Sequence, residues 1–237
     1  MIPLRDRNPS GSFPVVTLLI IVANMVLFIY ELGMGYRLER FLMTWGLVPL
    51  KVRYFFAVQE IGMADVFLPF FTSMFLHGGW LHVIGNMWYL WIFGDNVEDR
   101  LGHARYFLFY IICGLGAALT HVLFNINSGM PVVGASGAVA GVLGAYMFSF
   151  PKARVLTLVF IFIFITTIEI PAYFFLAFWF ILQFLSGTMS IAASSGDAGG
   201  VAWWAHVGGF VLGILLITRM RRHRQSRQQR YVVRFDD

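Results

Sequence analysis

A chain of 237 residues that is 59% hydrophobic and only 12% charged, with 25 Phe and 11 Met and a mean hydropathy of +0.74, is not a water-soluble domain. Such domains carry about a quarter charged residues, and the solvent that tolerates this composition is lipid. The net charge of +5 sits entirely from Arg219 onward, where seven Arg meet two Asp, so it marks a terminal arm and not a nucleic-acid face.

In chain order, residues 1–14 carry Arg5 and Arg7 and end at the helix-starting Pro14. They read as a cytoplasmic N-terminus, and Val15–Tyr30 as a first span of the roughly 20 apolar residues a bilayer core requires. No small-residue cleavage site follows, which makes it a retained anchor and not a removable signal. Gly33 to Gly79 is a long, partly amphipathic loop, with Arg37, Glu39, Arg40, Lys51, Arg53, Glu60 and Asp65 among aromatics. Five further spans follow at Leu81–Val97, Tyr106–Phe124, Ser136–Phe150, Ala172–Ile191 and Trp203–Met220. The membrane domain thus covers residues 15–220, and residues 221–237 form a basic cytoplasmic tail. That tail reads as a solvated anchor beside anionic lipid.

Lys and Arg concentrate in the cytoplasmic loops of membrane proteins. The N-terminus, Arg100 with Arg105, Lys152 with Arg154, and the tail then share the cytoplasmic side. The loops Asn125–Ala135 and Ala192–Ala202 hold no Lys or Arg and face outward with the long first loop. Val155–Ile170 is apolar enough to span but rich in β-branched residues, and Glu169 interrupts it before Pro171. A span there would put Ser136 and His206 on opposite membrane faces, so this segment is expected to lie along the cytoplasmic interface or re-enter without crossing. The fold class is an all-α polytopic membrane protein, a six-helix bundle with a long first extracytoplasmic loop.

Polar residues inside lipid are costly and therefore candidates for function. Ser136, in Gly134-Ala135-Ser136-Gly137, opens the fourth span, where a helix leaves backbone N–H groups unpartnered and favours negative charge. His82 and Asn86, four apart, share one helix face at the start of the second span. His206, in Ala205-His206-Val207-Gly208-Gly209, begins the sixth. With spans two, four and six running the same way, all three sites share one depth near the outer face. Gly137, Gly141 and Gly144 make a smooth stripe on span four, and Gly209 and Gly213 a matching one on span six, so the two helices can pack closely. That packing would bring the Ser136 hydroxyl to the His206 imidazole, the arrangement that activates an alcohol nucleophile. The Ser136 N–H, His82 and Asn86 are then candidate donors to an oxyanion. Taken singly, each piece has a plainer reading: serine as an N-cap, glycine as packing, His or Asn as a bridge between helices. His121, Asn24, Asn125 and Asn127 are left in that plainer class. Cys113 is the only cysteine, which rules out an intramolecular disulfide and a Cys-based cluster; no metal or cofactor is expected.

At His82-x-x-x-Asn86, Gly134-Ala135-Ser136-Gly137 and Ala205-His206-x-x-Gly209, in that order and spacing, the chain resembles the rhomboid family of intramembrane serine proteases. His77 and Glu98-Asp99-Arg100-Leu101-Gly102 look like further family features. The resemblance implies a rhomboid-like six-helix fold, with Ser136 as nucleophile, His206 as general base and acid of a Ser-His dyad, and His82 with Asn86 completing the oxyanion hole. No acidic residue orients His206 in this scheme. Two positions depart from the family. Ala140 stands where many bacterial members have an aromatic residue stacked on the catalytic histidine, so His206 must be packed by something else. The first loop lacks the Trp-Arg pair those members often carry.

The resemblance further implies that the first loop lies partly in the outer leaflet, and that span five, with Phe178, Trp179 and Phe180, is a lateral gate. Hydrolysis needs water below the membrane surface, and Gly78, Gly79 and Asn125–Ala135 could line its entrance. The expected partners are the bilayer and single-span protein substrates whose helices weaken near the outer face, since an intact helix hides its carbonyls. Nucleic acid is not among them. The alternatives are a catalytically silent relative that binds membrane proteins, against which an intact Ser136 and His206 speak, and a small transporter. A transporter should show mid-membrane polar residues in several spans or two similar halves, and neither is evident. A prokaryotic plasma membrane with both termini cytoplasmic is the expected location.

Overall fold

The computed structural model describes residues 1–58, 61–161, 164–192 and 202–220. The basic tail beyond Met220 and most of the Ala192–Ala202 loop lie outside them.

Each of the six spans read from the sequence is a helix. Helix α1 covers Val15–Leu32. The long first loop folds into α2 (Leu38–Trp45), α3 (Pro49–Val58) and α4 (Met63–Thr72). Then come α5 (Trp80–Leu101), α6 (His103–Phe124), α7 (Ser136–Ser149), α8 (Ala172–Ala192) and α9 (Trp203–Met220). Helices α1, α6, α8 and α9 are long and apolar enough to cross a membrane. The α4 segment and α5 meet at a 74° bend, the geometry of a broken span or a re-entrant turn. Outward-facing Val22, Val26 and Ile29 on α1 and Leu81 on α5 are exposed, as expected of surfaces covered by lipid. The protein is an integral membrane protein with a mostly helical, polytopic fold.

Helix α7 runs through the middle, packed by α5, α6, α8 and α9. Its residues Gly137–Tyr146 are all buried, which is why it reads apolar all round instead of amphipathic. Between α5 and α6 the chain turns on one residue, Gly102, whose φ of +80° favours glycine.

The helical reading needs one addition, a three-stranded antiparallel sheet. Ile2–Asp6 forms β1, Arg154–Ile161 β2 and Phe164–Pro171 β3, in the order β1-β2-β3. β-branched residues fill Val155–Ile170, and they fit a pleated ladder better than a helix. The β2–β3 hairpin returns to its starting point: the Ala172 N–H donates to Ala153 O (2.7 Å) and the Tyr173 N–H to Pro151 O (3.1 Å). The segment therefore leaves and rejoins the bundle at one level. Strand β1 pairs with β2 from Ile2↔Leu158 to Asp6↔Val155, so the N-terminal segment is part of the fold.

A carboxylate cluster ties this end together. The buried Glu98 side chain accepts from Val16 N (2.9 Å), Thr17 N (2.8 Å) and Thr17 Oγ1 (2.7 Å), capping α1, whose own N-cap residue is Pro14. Glu98 also bonds His103 Nδ1 at 2.6 Å. Asp99 accepts from Ser12 Oγ (2.7 Å), Asp6 from Tyr146 OH (2.5 Å), and Arg7 pairs with Glu169 (2.5 Å).

Candidate functional site

The backbone positions Ser136 before any side chain does. Gly134 has a φ of +126°, a conformation that L side chains rarely adopt, and its N–H donates to Ser73 O at 2.9 Å. A Cβ on Gly134 would come within 2.6 Å of His82 Nε2 and 3.6 Å of Asn86 Nδ2. The turn before α7 thus lies directly against both residues of α5, and only glycine allows that approach. The Ser136 hydroxyl does not cap its own helix, since α7 has Ala135 at its N-cap and no side-chain cap bond. It lies 2.8 Å from His206 Nε2 on α9.

Two glycine stripes permit that distance. A Cβ on Gly209 would sit 2.0 Å from Gly137 O, one on Gly213 2.0 Å from Gly141 O, and one on Gly144 2.2 Å from Phe210 O. Real Cβ contacts of this length do not occur, so α7 and α9 touch backbone to backbone. On the far side of α7, a Cβ at Gly137 would meet Ala117 and one at Gly141 would meet Cys113, each at 2.5 Å. Ala140, where the family aromatic would stand, is fully buried.

The packing of His206 comes from α8 and from α9 itself. Trp179 lies 5.9 Å from the imidazole at 36°, and Trp203 meets it edge-on at 6.2 Å. Gln183 Oε1 accepts from His206 Nδ1 at 2.7 Å. Sequence reasoning passed over Gln183, although a signal was available. It is the one amide in an uncharged helix, and it stands one turn after Trp179 on the same face.

Behind the site, the Asn86 amide bonds His77 Nε2 at 3.1 Å, and the His77 and His82 rings meet edge-on at 5.1 Å. The His77 backbone N–H donates to the buried Glu31 carboxylate on α1 at 3.2 Å. Asn86 is buried and has two amide hydrogens, so one can serve His77 and the other can face Gly134. Of the aromatics on span five, Phe178 points outward, Trp179 packs on His206 and Phe210, and Phe180 stacks on Phe210 at 4.8 Å. Gly79 is extended and opens α5, and Gly78 lies beside His82 Nδ1. Of the residues left in the plainer class, Asn24 bonds its own helix at Ile20 O, Asn125 bonds His121 O, and Asn127 accepts from Arg53.

The Rhomboid domain family matches residues 64–223. RHOMBOID-like protein 1 of Arabidopsis thaliana is 34% identical over 155 residues, 57% of this chain and 39% of that protein. Rhomboid protein 1, mitochondrial, of Saccharomyces cerevisiae is 28% identical over 165 residues, 66% of this chain and 44% of that protein. The presenilin-associated rhomboid-like protein, mitochondrial, of Bos taurus is 27% identical over 158 residues, 63% of this chain and 37% of that protein. The matched region spans less than half the length of each relative. All three are eukaryotic and two are mitochondrial by name, so they lend no support to a prokaryotic plasma membrane.

Proposed function

The chain belongs to the rhomboid family, and from that premise we propose that it is an intramembrane serine endopeptidase in which Ser136 is the nucleophile and His206 the general base and acid. The observation that carries the reading is the 2.8 Å approach of Ser136 Oγ to His206 Nε2 across 70 residues of sequence, made possible by the glycine contact between α7 and α9. Ser136 Oγ–H gives its proton to Nε2 as the oxygen attacks the scissile carbonyl. The imidazolium then protonates the departing amine, and water repeats the cycle on the acyl-enzyme. The Ser136 N–H, His82 and Asn86 border the position of the developing oxyanion.

The proposed topology is six spans, α1 and α5–α9, with both termini on the cytoplasmic side. Helix α7 has 14 residues, about 21 Å at 1.5 Å per residue, against a hydrocarbon core of about 30 Å. Ser136 therefore sits below the outer face, where substrates are single-span proteins whose helices unwind easily near that face. Tags placed after Phe150 and at the C-terminus both report cytoplasm; tags on opposite sides would break this topology.

The deciding experiment compares the purified full chain with Ser136→Ala on a single-span substrate in liposomes, together with labelling by a serine-reactive fluorophosphonate. Cleavage and labelling by the wild type alone are expected. Cleavage by both proteins would assign the activity elsewhere. A substrate bound but uncleaved, with Ser136 unlabelled, would make this chain a binding member of the family.

A further inference from the structure

We infer that Gln183 is a positioning residue for His206, so that the site works as a Ser136–His206–Gln183 relay with a neutral third member. This rests on the reading of Ser136 and His206 as nucleophile and base. For Nε2 to take the serine proton, the neutral ring must carry its hydrogen on Nδ1, and that hydrogen needs an acceptor. Among the described residues, the polar partners of His206 are Ser136 Oγ at 2.8 Å and Gln183 Oε1 at 2.7 Å. The amide oxygen therefore selects the tautomer that leaves Nε2 free, and it holds the ring plane toward Ser136.

The surroundings explain why an amide fills this place. Gln183 is 8% exposed on a helix whose neighbouring side chains are Leu182, Phe184 and Leu185. A carboxylate there would be desolvated without a fixed charge partner while the imidazole is neutral. An amide costs less, and its hydrogen bond to His206 offsets that cost. Trp179, one turn earlier, braces the same ring. Both groups lie on α8, whereas His206 lies on α9, so the hydrogen-bond acceptor for Nδ1 is in place while α8 stays docked on α9.

The test uses the full chain in liposomes with a cleavable single-span substrate, and compares wild type, Gln183→Met and Gln183→Glu. Methionine keeps the length and apolar fit but removes the acceptor; glutamate keeps an acceptor and adds charge. A positioning role predicts that Gln183→Met lowers kcat by about 10- to 100-fold, by analogy with the loss of the group that orients a metal-binding histidine, with KM within twofold. Fluorophosphonate labelling of Ser136 should slow in parallel. Gln183→Glu should retain more turnover than Gln183→Met. It should also move the acid limb of kcat/KM to higher pH, because a carboxylate favours the imidazolium and Nε2 is then freed only at higher pH. A packing role predicts the reverse order, with methionine tolerated and glutamate harmful. Wild-type turnover in Gln183→Met, a folded and nearly isosteric variant, overturns the inference alone. A wild type that neither cleaves nor labels at Ser136 overturns it together with the protease reading.

Discussion

At Ser136 helix α7 meets neutral hydrogen-bonding groups, His206, Gln183, His82 and Asn86, whereas ten residues on, at Tyr146, it meets a network built from carboxylates. Asp6 accepts from Tyr146, and Glu98 and Asp99 close nearby on α1 and its leader. On the Ser136 side the Glu31 carboxylate stays a layer back, on the His77 amide. The two ends divide labour by solvent. Charge is cheap beside water and expensive within lipid, so the end expected to do chemistry is wired with neutral groups, and the end that anchors the chain uses ions.

The contrast breaks most completely at the glycine seam. Gly209→Val puts a side chain where even a Cβ would lie 2.0 Å from Gly137 O, and turnover should be lost, because a displacement near 1 Å at reacting groups costs about 10²-fold. Full activity would mean that the seam does not set the Ser136–His206 distance. Next in size, His82→Ala and Asn86→Ala should each lower kcat by about 10²- to 10³-fold, the effect of losing an oxyanion donor, with melting temperature little changed. Unchanged turnover in both would remove them from that role.

At the anchoring end the expected effect is on stability and not on chemistry. Glu98→Ala uncaps α1 and leaves buried donors unpaired, costing about 1–3 kcal/mol, with turnover per folded molecule unchanged. A large drop in kcat at constant stability would show that the two ends are coupled.

The smallest effect concerns Asp6, whose carboxyl burial pushes up to about 6; the Tyr146 hydroxyl bonded to it pulls the other way, and neighbouring Asp95 adds to the rise. The Asn96 amide and the Asn8 backbone N–H also face it. The folded state thus holds a proton that the released strand gives up near pH 4. Docking of β1 is strongest below about pH 4 and weakens as pH rises to about 6. Asp6→Asn should flatten that dependence. A dye on Ile2→Cys, read by anisotropy, would report it, since the native Cys113 is fully buried. An unchanged pH profile in Asp6→Asn would remove this group from the latch.

The helices and the site were legible in unequal measure. Apolar runs announce helices because lipid demands about 20 such residues at a stretch, and the spacing of Gly137, Gly141, Gly209 and Gly213 announces close approach. The sheet is harder to see, since Ile2 finds Leu158 through pairing across more than 150 residues, which no local pattern encodes. Ala140 marked a gap beside His206 without saying what fills it. Trp179 and Gln183 fill it from α8, and their role depends on how two helices dock and not on either helix alone.

The seam between α7 and α9 has one more consequence. Glycine has no rotamers to freeze, so joining these helices costs no side-chain conformational entropy along the contact. Equally, at the glycine positions no side chain can rotate and let the spacing drift. The separation of the backbones that carry Ser136 and His206 is therefore set by their covalent width, while Gln183 and Trp179 set the imidazole itself.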